Sequence, residues 1–359
     1  MSIHFHPLKI NEVKKETDQC VTISFEIPPE LAGSFHYMHG QSLTMRAFIN
    51  GNEIRRTYSL CSSPLDNEWT VAIKKAEAGI FSSYANEQLK KGDMLEVMEP
   101  VGKFYTELNP SIKKNYLAFA SGSGITPVIS IIKTTLRTES QSSFTLVYGN
   151  RARGSIIFFE ELEGLKNMFI DRFNLINILS REKTETQLNF GRIDTSKLDE
   201  LSKLIDYNNI DETFICGPEE MIFCVKDFLT QKGVSEKKIH FELFTSSTPK
   251  KKKPEKEKSK TDSGPQSKIT VKVDNRSFDF SMPLNSESSI LDTALLQGAD
   301  LPFACKGGMC CTCKAKLLEG KVEMDVHWGL EHEEIEKGFI LTCQSHPKTE
   351  KVIVDFDIK

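Results

Sequence analysis

Apolar and polar residues alternate at period two over Cys20-Val21-Thr22-Ile23-Ser24-Phe25-Glu26-Ile27, and Pro28-Pro29 ends the run. Ser42–Ile49 alternates likewise and meets Asn50-Gly51, a tight hairpin signal. Short strands punctuated by turn residues through the opening hundred positions predict a small antiparallel β-barrel. The pattern then changes. Residues 116–120 form a continuous apolar run, fit for a strand buried in a parallel sheet. The run breaks at Ser121-Gly122-Ser123-Gly124-Ile125-Thr126-Pro127 and resumes as a helical pattern over 128–136. Apolar strands recur at 144–148, 173–179 and 213–216, so strands alternate with helices as in a doubly wound parallel sheet. Beyond Thr245 the apolar pattern disappears. The lysine run 250–253, alternating Glu and Lys, and Ser263-Gly264-Pro265 predict a flexible, solubilising linker. After it, 269–273 and 276–280 read as a hairpin across Asp274-Asn275, and 289–298 reads as a short helix with a glycine stop. The expected fold is therefore multidomain. It has an antiparallel β-barrel over 1–110, a doubly wound α/β domain over 111–245, a linker over 246–267, and a small α+β domain over 268–359.

Composition narrows this little. A chain of 359 residues has room for two to three domains at roughly 100–200 residues each. Its apolar share of 39% and charged share of 27% are those of globular protein. A formal charge of −4 does not mark a nucleic-acid binder. No apolar run approaches the roughly 20 residues of a membrane span, and the first residues lack a basic stretch followed by an apolar one. Nine cysteines without an export signal point to reduced thiols, and the expected location is the cytoplasm.

Cysteine spacing changes the picture most. Cys305, Cys310 and Cys313 make C-x4-C-x2-C, and Cys343 supplies a distant fourth thiolate. That is the ligand pattern of a plant-type [2Fe–2S] centre. Gly307 and Gly308 let the loop bend around a cluster and turn its amides inward. A structural zinc site is the rival, but zinc ribbons pair two short CxxC knuckles and here the last cysteine stands alone. A disulfide knot is the other rival. Cys311 is a spare thiol, because using it in place of Cys310 gives C-x5-C-x-C, a spacing that fits no cluster.

Three further stretches carry chemistry. In Arg56-Thr57-Tyr58-Ser59, the arginine can hold a pyrophosphate, the tyrosine can stack on a flat heterocycle and the serine can bond its edge. Read alone, the tetrapeptide is a strand with an exposed arginine; in company it gains weight. Gly79-Ile80-Phe81-Ser82 opens a helical stretch whose amides attract phosphate. Gly122-x-Gly124-x-x-Pro127, between strand and helix, has the geometry that cradles a dinucleotide, with Ser123 and Thr126 inside it and Pro127 in the first helical turn. Ser180-Arg181 ends the third strand of this domain and Arg192 follows. Two guanidiniums suit a 2′-phosphate, which favours NADPH over NADH. The bland alternative is two solvated surface arginines. Glu331, Glu333, Glu334 and Glu336 give the last domain an acidic face, which reads as a solvated helix or as a dock for a basic partner.

Together these residues resemble the ferredoxin–NADP reductase superfamily. Arg56-x-Tyr58-Ser59 and Gly79-x-x-Ser82 match its flavin motifs; Gly122-x-Gly124-x-x-Pro127 and Cys216-Gly217-Pro218 match its nicotinamide motifs. The C-terminal plant-type ferredoxin resembles that of oxygenase reductases. The doubled cysteine at 310–311 and Leu341-Thr342-Cys343-Gln344-Ser345-His346-Pro347 are similar to the reductase subunits of phenylacetyl-CoA epoxidases. The resemblance covers nearly all the chain except the linker. It implies a β-grasp fold for the last domain, and FAD held by Arg56, Thr57, Tyr58, Ser59, Gly79, Phe81 and Ser82. It also implies a nicotinamide cofactor facing Gly122, Ser123, Gly124, Thr126, Pro127, Ser180, Arg181, Arg192, Gly217 and Pro218. Ser59 would lie near the reactive flavin nitrogen and Cys216 near the nicotinamide ring. These two are the candidate catalytic residues; Cys305, Cys310, Cys313 and Cys343 are the candidate metal ligands. The implied activity is electron transfer from NADPH through FAD and the cluster to a di-iron oxygenase. A reductase serving another oxygenase, hydroxylase or desaturase is the alternative, and a redox-sensing module without turnover, or a zinc-bearing interaction protein, would be of another class. Two departures stand out. His39-Gly40-Gln41 replaces the family's Pro-Gly-Gln, a change expected to leave flavin binding intact, and the lysine-rich linker is unusually long.

Overall fold

The strand His6–Thr17, which no simple alternation announced, is central to the first sheet. Leu8 and Ile10 point into the core and are fully buried, while its outer half is exposed and charged. The computed structural model describes residues 4–244, 265–284 and 286–358. Six strands follow one another in the order Asn52–Ser59, Ser42–Ile49, Met94–Val97, His6–Thr17, Cys20–Glu26 and Trp69–Lys74, and every pairing is antiparallel. A bridge between Leu60 and Val71 draws the two edges together, as barrel closure requires. The Asn50-Gly51 hairpin forms as expected, both residues taking positive φ (+53° and +77°).

The second sheet is all parallel, in the order Ile239–Leu243, Glu212–Gly217, Asn115–Ser121, Ser143–Asn150 and Phe173–Leu179. Four helices accompany it: Ile125–Thr138, Phe159–Met168, Thr195–Leu201 and Glu219–Gln231. Asn115–Ser121 is buried through most of its length, in keeping with its unbroken apolar run. Barrel and parallel sheet share one core, in which Cys61, Ala72 and Phe104 pack with residues of the second sheet. Hydroxyl contacts reinforce the seam. Ser130 donates to the Ser62 carbonyl at 2.6 Å, and Ser63 meets Thr134 at 2.9 Å.

His39 lies in this interior, 2% exposed, its ring edge-on to Tyr105, and among the described residues its Nε2 has no hydrogen-bond partner. Burial lowers its pKa from the ordinary 6.5 to about 4, against smaller opposing effects of the Thr106 backbone and Glu139. In the unfolded chain His39 takes up its proton as pH falls through 6.5, whereas in the folded chain it stays neutral to about pH 4. Its contribution is thus complete above pH 6.5 and declines as pH falls towards 4, by about 3 kcal/mol in all. Urea unfolding of His39→Gln and the parent protein from pH 7.5 to 4.5 will show a shallower acid loss in the variant; equal slopes would contradict this.

The described residues divide into two units, one of residues 6–244 and the other of residues 4–5 with 265–284 and 286–358. In the second, a five-stranded mixed sheet has the order Arg276–Pro283, Gln266–Val273, Lys351–Asp355, Lys314–Glu319 and Phe339–Leu341. Its first and last strands in sequence, Gln266–Val273 and Lys351–Asp355, lie parallel, and the helix Ile290–Leu296 buries Ile290, Leu291 and Ala294 in the same core. This is the β-grasp arrangement, with Ser289 capping the helix by accepting from the Asp292 amide. A two-stranded ribbon, Val322–Met324 with Ser345–Pro347, stands beside it.

The linker reading of 246–267 falls on undescribed positions up to 264. Its far edge is corrected. Gln266 and Ser267 already pair with Pro283 and Met282, and Ser267 is fully buried. Their polar composition disguised a strand start. Among the described residues no helix is long and apolar enough to cross a membrane.

Candidate functional site

All five parallel strands end on the same side of their sheet, and a cleft of about 680 Å³ opens there. Its wall includes Gly122, Ser123, Gly124, Ser180, Arg181, Arg192, Gly217 and Pro218, so eight residues singled out from sequence converge. The volume lies in the range of ordinary cofactor sites.

The two glycines of the loop are needed for different reasons. Gly122 takes φ +53°, a left-handed conformation that disfavours a side chain. Gly124 has an ordinary helical φ of −61°, but a Cβ there would stand 2.1 Å from the Cys216 carbonyl oxygen. The loop therefore presses directly on the end of the neighbouring strand. Tyr148 donates to the Gly122 carbonyl at 2.9 Å, and Thr126 closes the turn by donating to the Ser123 carbonyl at 3.1 Å. Pro127 sits buried in the first turn of Ile125–Thr138. Thr126 and Pro127 thus shape the loop from beneath.

Three groups in the cleft escaped the sequence reading. Lys74, at the end of Trp69–Lys74, brings its ammonium to the loop: a Cβ on Gly122 would lie 3.4 Å from its Nζ. Burial, and then the Arg151 guanidinium, hold that ammonium below its usual pKa. Asn150 is 8% exposed, and among the described residues its Nδ2 meets no hydrogen-bond acceptor. With Arg151, Arg181 and Arg192 alongside, these groups form a cationic, donor-rich wall against which an anionic dinucleotide fits. The loop bearing Arg181 is fixed by backbone bonds: Ser180 and Arg181 donate to the carbonyls of Asn150 and Arg151 at 2.9 and 2.8 Å.

Cys216 itself is fully buried, and burial foremost, then Glu242, raises its thiol well above the ordinary range. It remains a neutral thiol. Strand register sets Glu242 beside it, and Glu242 Oε2 accepts from Ser59 Oγ at 3.3 Å. So Ser59, from the barrel, and Cys216, from the parallel sheet, meet through a carboxylate that sequence analysis missed. Glu242 belongs to the short strand Ile239–Leu243, which carries no recognisable motif.

On the barrel, Tyr58 lies beside Phe81 with ring centroids 5.7 Å apart, and burial raises its phenol pKa. Thr57 pairs its hydroxyl with Thr44 at 3.0 Å, and Arg56 is exposed, one guanidinium nitrogen donating to the Arg55 carbonyl. Gly79 caps the helix Ile80–Glu87. A Cβ on Gly79 would stand 2.3 Å from Ser82 Oγ, whose hydroxyl accepts from the Ala76 amide and donates to the Gly79 carbonyl. Ser82 builds the turn, and the opening amides of the helix stay outside its ladder. A ring-lined strand, an exposed guanidinium and a glycine-tight helix N-terminus fit a flavin with its pyrophosphate.

In the second unit the four thiols fall into two close pairs, Cys305 with Cys310 and Cys313 with Cys343. The Cys310 thiol foremost lowers the Cys305 pKa, and the amides of Gly307 and Cys310 point at the Cys305 sulfur at 3.3 and 3.5 Å. The Cys313 thiol likewise lowers that of Cys343. Among the described residues no three such ligands gather as around a single ion. Two thiol pairs with inward amides fit a binuclear cluster. Cys311 is turned aside: at φ +54° its sulfur meets the Gly329 carbonyl at 2.7 Å.

Comparison with known proteins agrees with this geometry. The oxidoreductase FAD-binding domain family matches residues 7–105, the oxidoreductase NAD-binding domain family matches 119–227, and the 2Fe-2S iron-sulfur cluster binding domain family matches 273–348. The chain is 44% identical, over 99% of its length and 98% of the other, to a 1,2-phenylacetyl-CoA epoxidase subunit from Escherichia coli (strain K12). It belongs to the flavo-iron–sulfur oxygenase reductases. Another such reductase, the ferredoxin reductase component of 3-ketosteroid-9-alpha-monooxygenase from Rhodococcus rhodochrous, is 33% identical over 97% of this chain and 96% of its own. Phthalate dioxygenase reductase shares the fold over 98% of both chains, with a TM-score of 0.60 and 24% identity. The iron–sulfur family match decides against zinc and against a disulfide knot. As a family member this protein is an oxidoreductase, the reductase component of an oxygenase.

Proposed function

We propose that this reductase takes electrons from NADPH and delivers them through FAD and a [2Fe–2S] cluster to a di-iron oxygenase that epoxidises phenylacetyl-CoA. The observation that carries the substrate assignment is the 44% identity over nearly both full lengths to a component of that epoxidase, against 33% to the ketosteroid component. Nine cysteines, none of them in a disulfide, accord with work in the cytoplasm.

Flavin chemistry, once FAD is bound, supplies the conversion between a two-electron hydride and the single electrons that an iron–sulfur cluster accepts. The chain's own part is alignment. Arg56 and the amides at Gly79 hold the pyrophosphate, Thr57 and Phe81 set the Tyr58 ring for stacking, and Ser82 keeps the turn closed. Ser59, held by Glu242, bonds the flavin edge. Buried Cys216, a neutral thiol at the end of its strand, would stand near the nicotinamide ring. Gly122 and Ser123 bring amides to the dinucleotide, Gly217 and Pro218 form the opposite lip, Lys74 and Arg151 neutralise its phosphates, and Asn150 offers them a hydrogen-bond donor. Cys305, Cys310, Cys313 and Cys343 hold the cluster.

Arg181 and Arg192, with Ser180 beside them, receive the 2′-phosphate that distinguishes NADPH from NADH. Arg181→Ala is expected to lower kcat/KM for NADPH by at least about tenfold, the worth of one charge-assisted bond, and to leave NADH nearly unchanged. Equal losses with both donors would remove the 2′-phosphate assignment. The epoxidase assignment is tested by mixing the reductase with the purified epoxidase and following NADPH-dependent epoxidation. NADPH oxidation that stays uncoupled from product would point to another oxygenase.

A further inference from the structure

Gln344 follows the last of the four cysteines and is 6% exposed. Its Nε2 donates to the Lys306 carbonyl at 2.8 Å and to the Cys343 carbonyl at 3.1 Å, and lies 3.7 Å from Cys343 Sγ. Lys306 belongs to the loop that carries the other three cysteines and takes φ +51°. One side-chain amide therefore spans both segments of the iron–sulfur site. The backbone around it is also fixed: Gln344 donates its own N–H to the Leu341 carbonyl at 2.9 Å and accepts from the Asp325 amide at 2.9 Å. Opposite stands Gly308, at φ +77°, where a Cβ would lie 3.2 Å from Gln344 Cγ and 2.7 Å from Val326 Cγ2. The glycine leaves the space that the glutamine side chain crosses. Neither residue type follows from cysteine spacing alone.

We propose that Gln344 is a positioning residue for the cluster: its amide clamps Cys343 to the three-cysteine loop and, as a donor beside the Cys343 sulfur, favours the reduced state. The physical basis is charge. Reduction adds an electron to a thiolate-bound cluster, so a nearby N–H stabilises the reduced form more than the oxidised one. Partners outside the ligand shell tune metal sites in this way. Removing the donor lowers the reduction potential and leaves the Lys306 carbonyl without this bond.

The test uses the full-length protein with its cluster and compares the parent with Gln344→Met and Gln344→Leu. Methionine keeps the length and the packing against Gly308 but has no N–H. Redox titration followed by electron paramagnetic resonance is expected to show the Gln344→Met midpoint displaced to more negative potential. At the parent's midpoint the reduced-to-oxidised ratio should fall about tenfold, which is 59 mV for one electron. The signal shape should change, while NADPH-driven flavin reduction stays at the parent rate. If both variants lose the cluster while their flavin spectrum and unfolding midpoint match the parent, the clamp is supported directly. A Gln344→Met protein that holds its cluster at the parent midpoint, with the parent signal, overturns the proposal, even where Gln344→Leu fails to load.

Discussion

Cys343→Ser separates the two halves of the electron route. NADPH will still bleach the flavin band at the parent rate, because the barrel and cleft lie in a unit that contains none of the four ligands. Reduction of a one-electron acceptor such as cytochrome c will fall by roughly 100-fold or more, beyond the 10–100-fold expected from losing an outer partner of a metal site. The reason is specific to this position. Cys343 comes from a different segment than the other three, is buried, and pairs with Cys313. No neighbouring thiol can replace it. Cys311 is the tempting substitute, yet its sulfur is engaged with the Gly329 carbonyl, and Gly329 packs so closely that a Cβ there would stand 2.7 Å from that sulfur. Cys311→Ala should accordingly keep both cluster absorbance and acceptor reduction. Loss of the cluster in Cys311→Ala, or its retention in Cys343→Ser, would contradict the ligand set.

Gly124→Ala has the largest expected effect on the nucleotide cleft. The added methyl would meet the Cys216 carbonyl oxygen at 2.1 Å, its carbon at 2.5 Å and the Gly217 nitrogen at 3.0 Å. All three atoms are backbone in the central part of a parallel sheet, so none can swing away as a side-chain tip would. Overpacking a well-filled site costs about 1–3 kcal/mol when side chains can yield, and this case belongs at or beyond the upper end. The strand end must move, and with it Gly217 and the register that sets Glu242 beside Cys216. Stability should drop by about 3 kcal/mol, and NADPH reduction of the flavin should be lost even at temperatures where the protein stays folded. Gly164→Ala is the matched control. That glycine lies within Phe159–Met168 with nothing inside 4 Å of a new Cβ, so the same methyl should stabilise by about 0.5–1 kcal/mol. Urea unfolding with a kinetic assay of flavin reduction reads both. A Gly124→Ala protein of parent stability and parent rate would contradict the packing account.

The sequence declared the architecture wherever periodicity or spacing was local. Residues 116–120 read as a buried strand, and C-x4-C-x2-C with a distant fourth cysteine favoured an iron–sulfur cluster over zinc or a disulfide knot. What lay hidden depends on register between distant strands. Nothing in His240-Phe241-Glu242-Leu243 predicts that Glu242 will bond Ser59 across 183 positions; it does so because Ile239–Leu243 pairs with Glu212–Gly217 so that Glu242 stands beside Cys216. Lys74 was hidden for a similar reason, ending a barrel strand whose tip is brought to a loop of the other sheet. Ser82 was legible as a motif residue, but its role as the bond that closes the Ala76–Gly79 turn was visible only once that turn had a shape. Composition misled at one edge, where polar Gln266 and Ser267 begin a strand.

The most direct test of the electron route is an anaerobic titration of the purified protein with NADPH, followed through its visible spectrum. The account predicts that flavin and iron–sulfur absorbance bleach together as NADPH is added. Flavin bleaching with the iron–sulfur bands unchanged would contradict it and reduce the C-terminal domain to an appended module outside the electron route.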